Sequence, residues 1–147
     1  MSLSLRYVID SSVYMKHLIP DPLSNQVDEL LSYIPQSGTA LFVPDLFYIE
    51  CTNVLWKYIR AGQYDLADLA DDMVELRSLP FLAVSAPDLM SDAINIAVAQ
   101  GISAYDACYV ALSQQASAPM LTLDLKLVNK LSATAYDVRD FSGEKFA

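Results

Sequence analysis

Histidine and cysteine are nearly absent from this chain. His17 stands alone, and Cys51 and Cys108 are the only thiols. No Cys/His spacing for zinc can be assembled from them. Both cysteines fall inside apolar helical patterns, so they read as buried, reduced thiols, and the location expected is cytoplasmic. His17 reads as a surface residue rather than a ligand or a base. Glycine is scarce as well, with 4 residues and no Gly-rich loop to cradle a nucleotide phosphate. No run approaches the roughly 18 apolar residues that cross a bilayer. Met1–Arg6 lacks the cationic segment and apolar core of a secretion signal, so no membrane association is expected. Basic residues number 9 against 18 acidic ones, a net charge of -9. That balance argues against broad attraction to nucleic acid. It leaves room for a nucleic-acid enzyme whose local charge is reversed by bound metal.

What is present is apolar and regularly punctuated. With 147 residues and 54% hydrophobic content, the chain can bury one sizeable core. Residues 1–139 read as one domain and 140–147 as a loose tail. Leu5–Ile9 is a short apolar run rich in strand formers, stopped by Asp10, as expected of a central strand in a parallel sheet. Ser11 or Ser12 can cap a helix to about Leu18, broken by Pro20 and Pro22. Val27, Leu30, Leu31 and Ile34 form the buried stripe of a second helix. Thr39–Val43 reads as a strand, and Pro44 suits the start of a helix reaching Ala61. Asp65, Asp68, Asp72 and Glu75 recur at helical spacing and read as a solvated face. A strand over Phe81–Val84 precedes a helix over Pro87–Gln100. A helix capped by Ser103 comes next, then the run Met120–Asp124, a helix over Leu125–Leu131 and a strand over Thr134–Val138. Alternating strands and helices predict a three-layer α/β/α domain around a central, mainly parallel sheet.

Four acids stand out because each is embedded in apolar sequence on a separate element. Asp10 and Asp124 each end an apolar strand, where ligands of open α/β sheets bind. Glu50 lies with Asn53, Lys57 and Arg60 on the one polar stripe of a mostly apolar helix. Asp106 is the sole charge of a helix that is apolar nearly all round. The plainer alternative is that the aspartates are helix caps and the Glu50 stripe a surface face. If the acids converge, one pair at roughly 6 Å and an effective dielectric of about 20 repels by about 3 kcal/mol. Several such pairs need protons or cations. An all-oxygen cluster selects Mg²⁺ or Mn²⁺ over zinc, and such ions activate water toward a phosphodiester. Asn53 and Thr122 can orient the carboxylates or water.

Four segments together resemble the PIN-domain ribonucleases, in particular the VapC-like toxins of toxin–antitoxin pairs. They are Val8-Ile9-Asp10-Ser11-Ser12, Pro44 through Glu50-Cys51-Thr52-Asn53-Val54-Leu55, Tyr105 through Leu112, and Leu121-Thr122-Leu123-Asp124. The resemblance implies a PIN-like fold. It also implies that Asp10, Glu50, Asp106 and Asp124 match the family's catalytic, metal-binding acids, with Asp10 and Asp106 the surest ligands. Ser11 matches the small hydroxyl residue after the first acid, and Thr122 the hydroxyl two before the fourth. The function so implied is a Mg²⁺-dependent endoribonuclease that hydrolyses RNA through metal-activated water, as a toxin held in check by a protein antitoxin. Related toxins are homodimers. Leu30, Leu31, Ile34, Trp56, Tyr58 and Ile59 offer apolar surface for such partners, unless they are simply core. Three other readings compete: a PIN-type nuclease for structured DNA or RNA outside any toxin pair, a non-catalytic acidic binding module, and a phosphoacceptor domain. The last needs a lysine at the site, and neither Lys126 nor Lys130 is clearly placed for it.

Overall fold

A computed structural model of the protein describes residues 5–146. Met1–Ser4, most of the segment read for a secretion signal, lies outside the described residues. Five strands form one fully parallel sheet in the order β3-β2-β1-β4-β5. The strands are β1 (Arg6–Ile9), β2 (Ala40–Pro44), β3 (Leu82–Val84), β4 (Met120–Thr122) and β5 (Val138–Asp140). The helices are α1 (Ser11–Leu18), α2 (Ser24–Ser32), α3 (Leu46–Arg60), α4 (Leu69–Ser78), α5 (Ala86–Gln100), α6 (Ala104–Ala116) and α7 (Leu125–Leu131).

The strand order carries the functional consequence. From β1 the chain steps outward through β2 to β3, then returns across the sheet to β4 and β5. Right-handed crossovers put α1–α4 on one face and α5–α7 on the other. The direction reverses between β1 and β4, which opens a crevice at their carboxyl ends. Asp10 and Asp124 are the residues at those ends. The core is continuous through both faces. Val8, Val43, Met120 and Leu121 are buried in the sheet, and Tyr14 packs edge-on to Phe47 and Phe81 at 5.9 Å each. Helix α6 is buried from Ala107 to Ser113, against β1, β2 and β4 on one side and α5 on the other. Ala107 and Ala111, almost without exposure, permit that close approach.

Several boundaries differ from the sequence reading. Pro44 ends β2 instead of opening α3, because its position continues the pairing of Phe42 and Val43 with β3. The helix after β1 is capped by Asp10, whose carboxylate accepts from the Val13 N–H, and by neither serine. The last strand starts at Val138. The stretch before it is turned back by Thr134, which accepts from the Tyr136 N–H.

The expected loose tail is docked. Phe141 is fully buried, and Phe146 packs edge-on to Tyr7 at 6.0 Å and to Tyr33 at 6.5 Å. Gln26 donates to the Phe141 carbonyl at 2.6 Å, and Arg139 pairs with both Asp137 and Glu144. Two phenylalanines in an otherwise polar stretch decide the matter by burial.

His17 is likewise no free surface residue. Its ring joins Asp28 of α2 at 2.6 Å and Glu75 of α4, so one side chain of α1 ties three helices together. Glu75 therefore leaves the solvated acidic face, and so does Asp72, which accepts from the Tyr64 hydroxyl. The apolar surface is also redistributed. Leu30 is core, and Leu31, Ile34 and Ile59 pack against the core, because their helix faces turn inward. Of the residues expected to be sticky, Trp56 remains, 52% exposed, and Tyr58 is half-buried. A stripe at helical spacing on α5, namely Met90, Ile94 and Val98, is exposed instead.

Candidate functional site

Asp10 is the best-held acid of the chain. It is half-buried at the end of β1. Its Oδ1 accepts from the Ser12 hydroxyl at 2.5 Å and from the Val13 N–H at 3.3 Å. Its Oδ2 accepts from the Thr122 hydroxyl at 2.5 Å. Loss of hydration pushes its pKa up to about 6, against the pull of these three donors, and Glu50 adds repulsion. Thr122 is fully buried at the end of β4, and its oxygen also accepts from the Asp124 N–H at 3.1 Å. One hydroxyl thus locks the first acid to the loop that carries the fourth. Ser12 adds a second tie, accepting from the Leu123 N–H at 3.2 Å.

Glu50 and Asp106 approach from opposite faces of the sheet. Glu50 is half-buried on α3, and its Oε1 accepts from the Tyr109 hydroxyl of α6 at 2.5 Å. Desolvation raises the Glu50 pKa, the Tyr109 bond opposes this, and Asp106 raises it further. Asp106 lies in the first turn of α6, capped by Ser103 as expected. Burial raises its pKa too, and Asp124 contributes. Asp106 and Asp124 share the lining of an open pocket of about 250 Å³ with Lys126 and Lys130. Lys130 is engaged elsewhere, donating to the Gly101 carbonyl at 2.7 Å.

The four acids therefore form a chain of neighbours, Asp10 to Glu50 to Asp106 to Asp124, each repelling the next. None makes an ion pair with a lysine, arginine or histidine among the described residues. Asp10 and Asp124 also cap helices, so capping and clustering coexist. No three acidic, histidine or cysteine side chains gather closely enough to form a ready-made metal cage among the described residues. The fit to a metal is then a matter of donor chemistry. Partly desolvated carboxylate oxygens without cationic partners suit a hard divalent cation.

The remaining expected residues divide. Asn53 lines a cleft of about 330 Å³ with Glu50, Ile49 and Tyr105. Ser11 is half-buried in the first turn of α1, while the bond to Asp10 comes from Ser12. Ser12 and Tyr109 are the two supporting residues that the sequence did not single out. The signal for Tyr109 was its hydroxyl, three residues beyond Asp106 and so on the same side of the helix. Ser12 was hidden by its neighbour, since either serine could have capped α1.

The chain is similar to several known proteins. The family model described as the PIN domain matches residues 7–130. Ribonuclease VapC3 of Pyrobaculum aerophilum is 32% identical over 132 residues, covering 88% of this chain and 97% of that one. Among solved structures, PAE2754 of the same organism has a TM-score of 0.68 at 24% identity, covering 94% of this chain and 85% of that one. A toxin–antitoxin complex from Klebsiella pneumoniae has a TM-score of 0.59 at 12% identity, covering 92% of this chain and 97% of that one.

Proposed function

The chain belongs to the PIN-domain family, and from that premise we propose that it is a divalent-metal-dependent endoribonuclease, the toxin of a toxin–antitoxin pair. The observation that carries this reading is the placement of Asp10 and Asp124 at the ends of β1 and β4, tied together through Thr122 at the sheet's switch point, with Glu50 and Asp106 beside them and no cation paired to any of the four among the described residues. Asp10 and Asp106 are the principal ligands for Mg²⁺ or Mn²⁺, with Glu50 and Asp124 completing the oxygen set. A bound divalent cation there supplies Lewis acidity, which lowers the pKa of water and neutralises charge on a phosphodiester. The chain's own residues set the stage for it. Ser12, Thr122 and the Val13 N–H fix the direction of Asp10. Tyr109 fixes Glu50 through Oε1, which turns Oε2 toward other work: holding water in line with the scissile phosphorus, or taking its proton.

The protein works in the cytoplasm, where its two buried cysteines stay reduced. Among the described residues no helix is long and apolar enough to cross a membrane. An antitoxin chain holds the enzyme in check, a reading supported by the likeness to a toxin–antitoxin complex. The groove lined by Leu55, Trp56, Ile59, Leu69 and Met73 offers apolar surface for it. The exposed stripe of Met90, Ile94 and Val98 on α5 favours a homodimer.

The test is incubation of the purified protein with structured RNAs, with and without Mg²⁺, beside an Asp106→Asn control. Metal-dependent cleavage that the control lacks is the expected result. Equal cleavage by the control, or none by the wild type, removes the assignment. Sedimentation as a strict monomer removes the dimer.

A further inference from the structure

Two of the most exposed large side chains stand next to the acids. Tyr105 is 68% exposed and Ile49 is 67% exposed. They belong to different helices, α6 and α3, yet line the same open cleft, whose other walls are Glu50 and Asn53. Each immediately precedes an acid of the site, Tyr105 before Asp106 and Ile49 before Glu50. Neither serves the core. Among the described residues no hydrogen bond or ring contact engages the Tyr105 side chain.

An RNA strand offers a protein charged phosphates and flat bases. This chain is poorly equipped for the first, with a net charge of -9 and no basic residue in the cleft lining. Stacking on an open aromatic ring needs no charge complementarity. We infer that Tyr105 is a stacking platform for the nucleobase beside the scissile phosphate. Ile49 forms an apolar wall, and the Asn53 amide meets the edge of the same base. The Asn53 side chain both donates and accepts, so it can distinguish base edges, whereas the ring tolerates any base. The inference rests on the ribonuclease reading and names the part of the substrate that its site grips. An apolar residue of an inhibitory protein is the competing occupant.

The test measures binding of labelled oligoadenylate, and of an abasic ribose-phosphate oligomer of the same length, by fluorescence anisotropy in Mg²⁺. The parent is the Asp106→Asn protein, with Tyr105→Ala, Tyr105→Phe and Asn53→Ala added in turn. Tyr105 sits outside the core, so its truncation leaves the thermal melt unchanged. The expected result is that oligoadenylate binds about tenfold more tightly than the abasic oligomer. Tyr105→Ala should erase that margin and Tyr105→Phe should keep it. Asn53→Ala should weaken oligoadenylate binding without changing the abasic oligomer. A Tyr105→Ala protein with the parent's affinity overturns the inference, as does equal binding of the two oligomers. Unchanged RNA affinity with lost binding of an antitoxin overturns it in favour of a protein contact. Failure of the wild type to cut any RNA is a separate result, which removes the ribonuclease reading while the anisotropy margin still decides the stacking.

Discussion

Thr122 donates its hydroxyl to Asp10 Oδ2 at 2.5 Å and accepts from the Asp124 N–H at 3.1 Å. Thr122→Val keeps the branched shape and removes both bonds. Leaving partly buried partners unsatisfied costs about 1–3 kcal/mol, so the melting temperature should fall. Asp10 loses a bond that favours its ionised form, and its pKa should rise above about 6. In the metal-free protein the midpoint of the stability profile against pH should therefore move to higher pH. A profile that keeps its midpoint shows that the bond does not tune Asp10.

Asp10→Asn and Asp106→Asn should each abolish RNA cleavage while the protein still melts cooperatively. Asparagine is also a good N-cap, so α1 keeps its start, and the change relieves the repulsion that Asp10 shares with Glu50. Circular-dichroism melts beside cleavage assays check both halves. Loss of a cooperative melt means that the carboxylate was needed for the fold.

Stability of the metal-free protein should fall as pH rises from about 4 to about 6. Asp10 has a folded pKa near 6, above its ordinary value of 3.8, so the folded state holds that proton more tightly than the unfolded chain. Stability is then highest below the ordinary value and levels off above about 6. Divalent metal should reverse the loss. Binding to the folded state alone adds about 2.7 kcal/mol at a hundredfold excess over Kd, and the gain should be larger at pH 7 than at pH 5. Melts in EDTA, Mg²⁺ and Mn²⁺ across this range decide it.

His17 should give a slope of the same sign in a higher window, because its folded pKa is also raised, here from 6.5. Burial lowers its pKa, but the bonds to Asp28 and Glu75 outweigh that and hold it above the ordinary 6.5. Its contribution is complete below the unfolded value and is lost as pH rises through the folded one. His17→Gln should remove about 1 kcal/mol at pH 6, a size suited to partly exposed pairs, and less at pH 9. A variant whose deficit is the same at both values shows that the ring acts by packing against Tyr14.

The sequence made the site legible where chemistry conflicts with surroundings. An acid that interrupts apolar residues, as Asp10, Glu50 and Asp106 do, is visible without coordinates because its burial needs a reason. Strand order did not follow from the α/β alternation, which fits several orders; the sequence showed only that Asp10 and Asp124 each end a strand, and the structure makes β1 and β4 neighbours. Ser12 and Tyr109 stayed hidden because a hydroxyl at the right spacing looks the same whether it caps, packs or supports a carboxylate. The C-terminal end misled for the converse reason. Phe141 and Phe146 look dispersed in a polar stretch until the fold brings Tyr7 and Tyr33 beneath them.

The reversal of strand order between β1 and β4 also sets a timetable. Asp10 emerges early during synthesis, but Thr122 follows 112 residues later, and β4 cannot pair with β1 before then. A nascent chain carries at most three of the four acids and no hydroxyl from β4 to aim the first. If the proposed site does the cutting, a chain stopped before β4 lacks both Thr122 and Asp124 and should leave RNA intact.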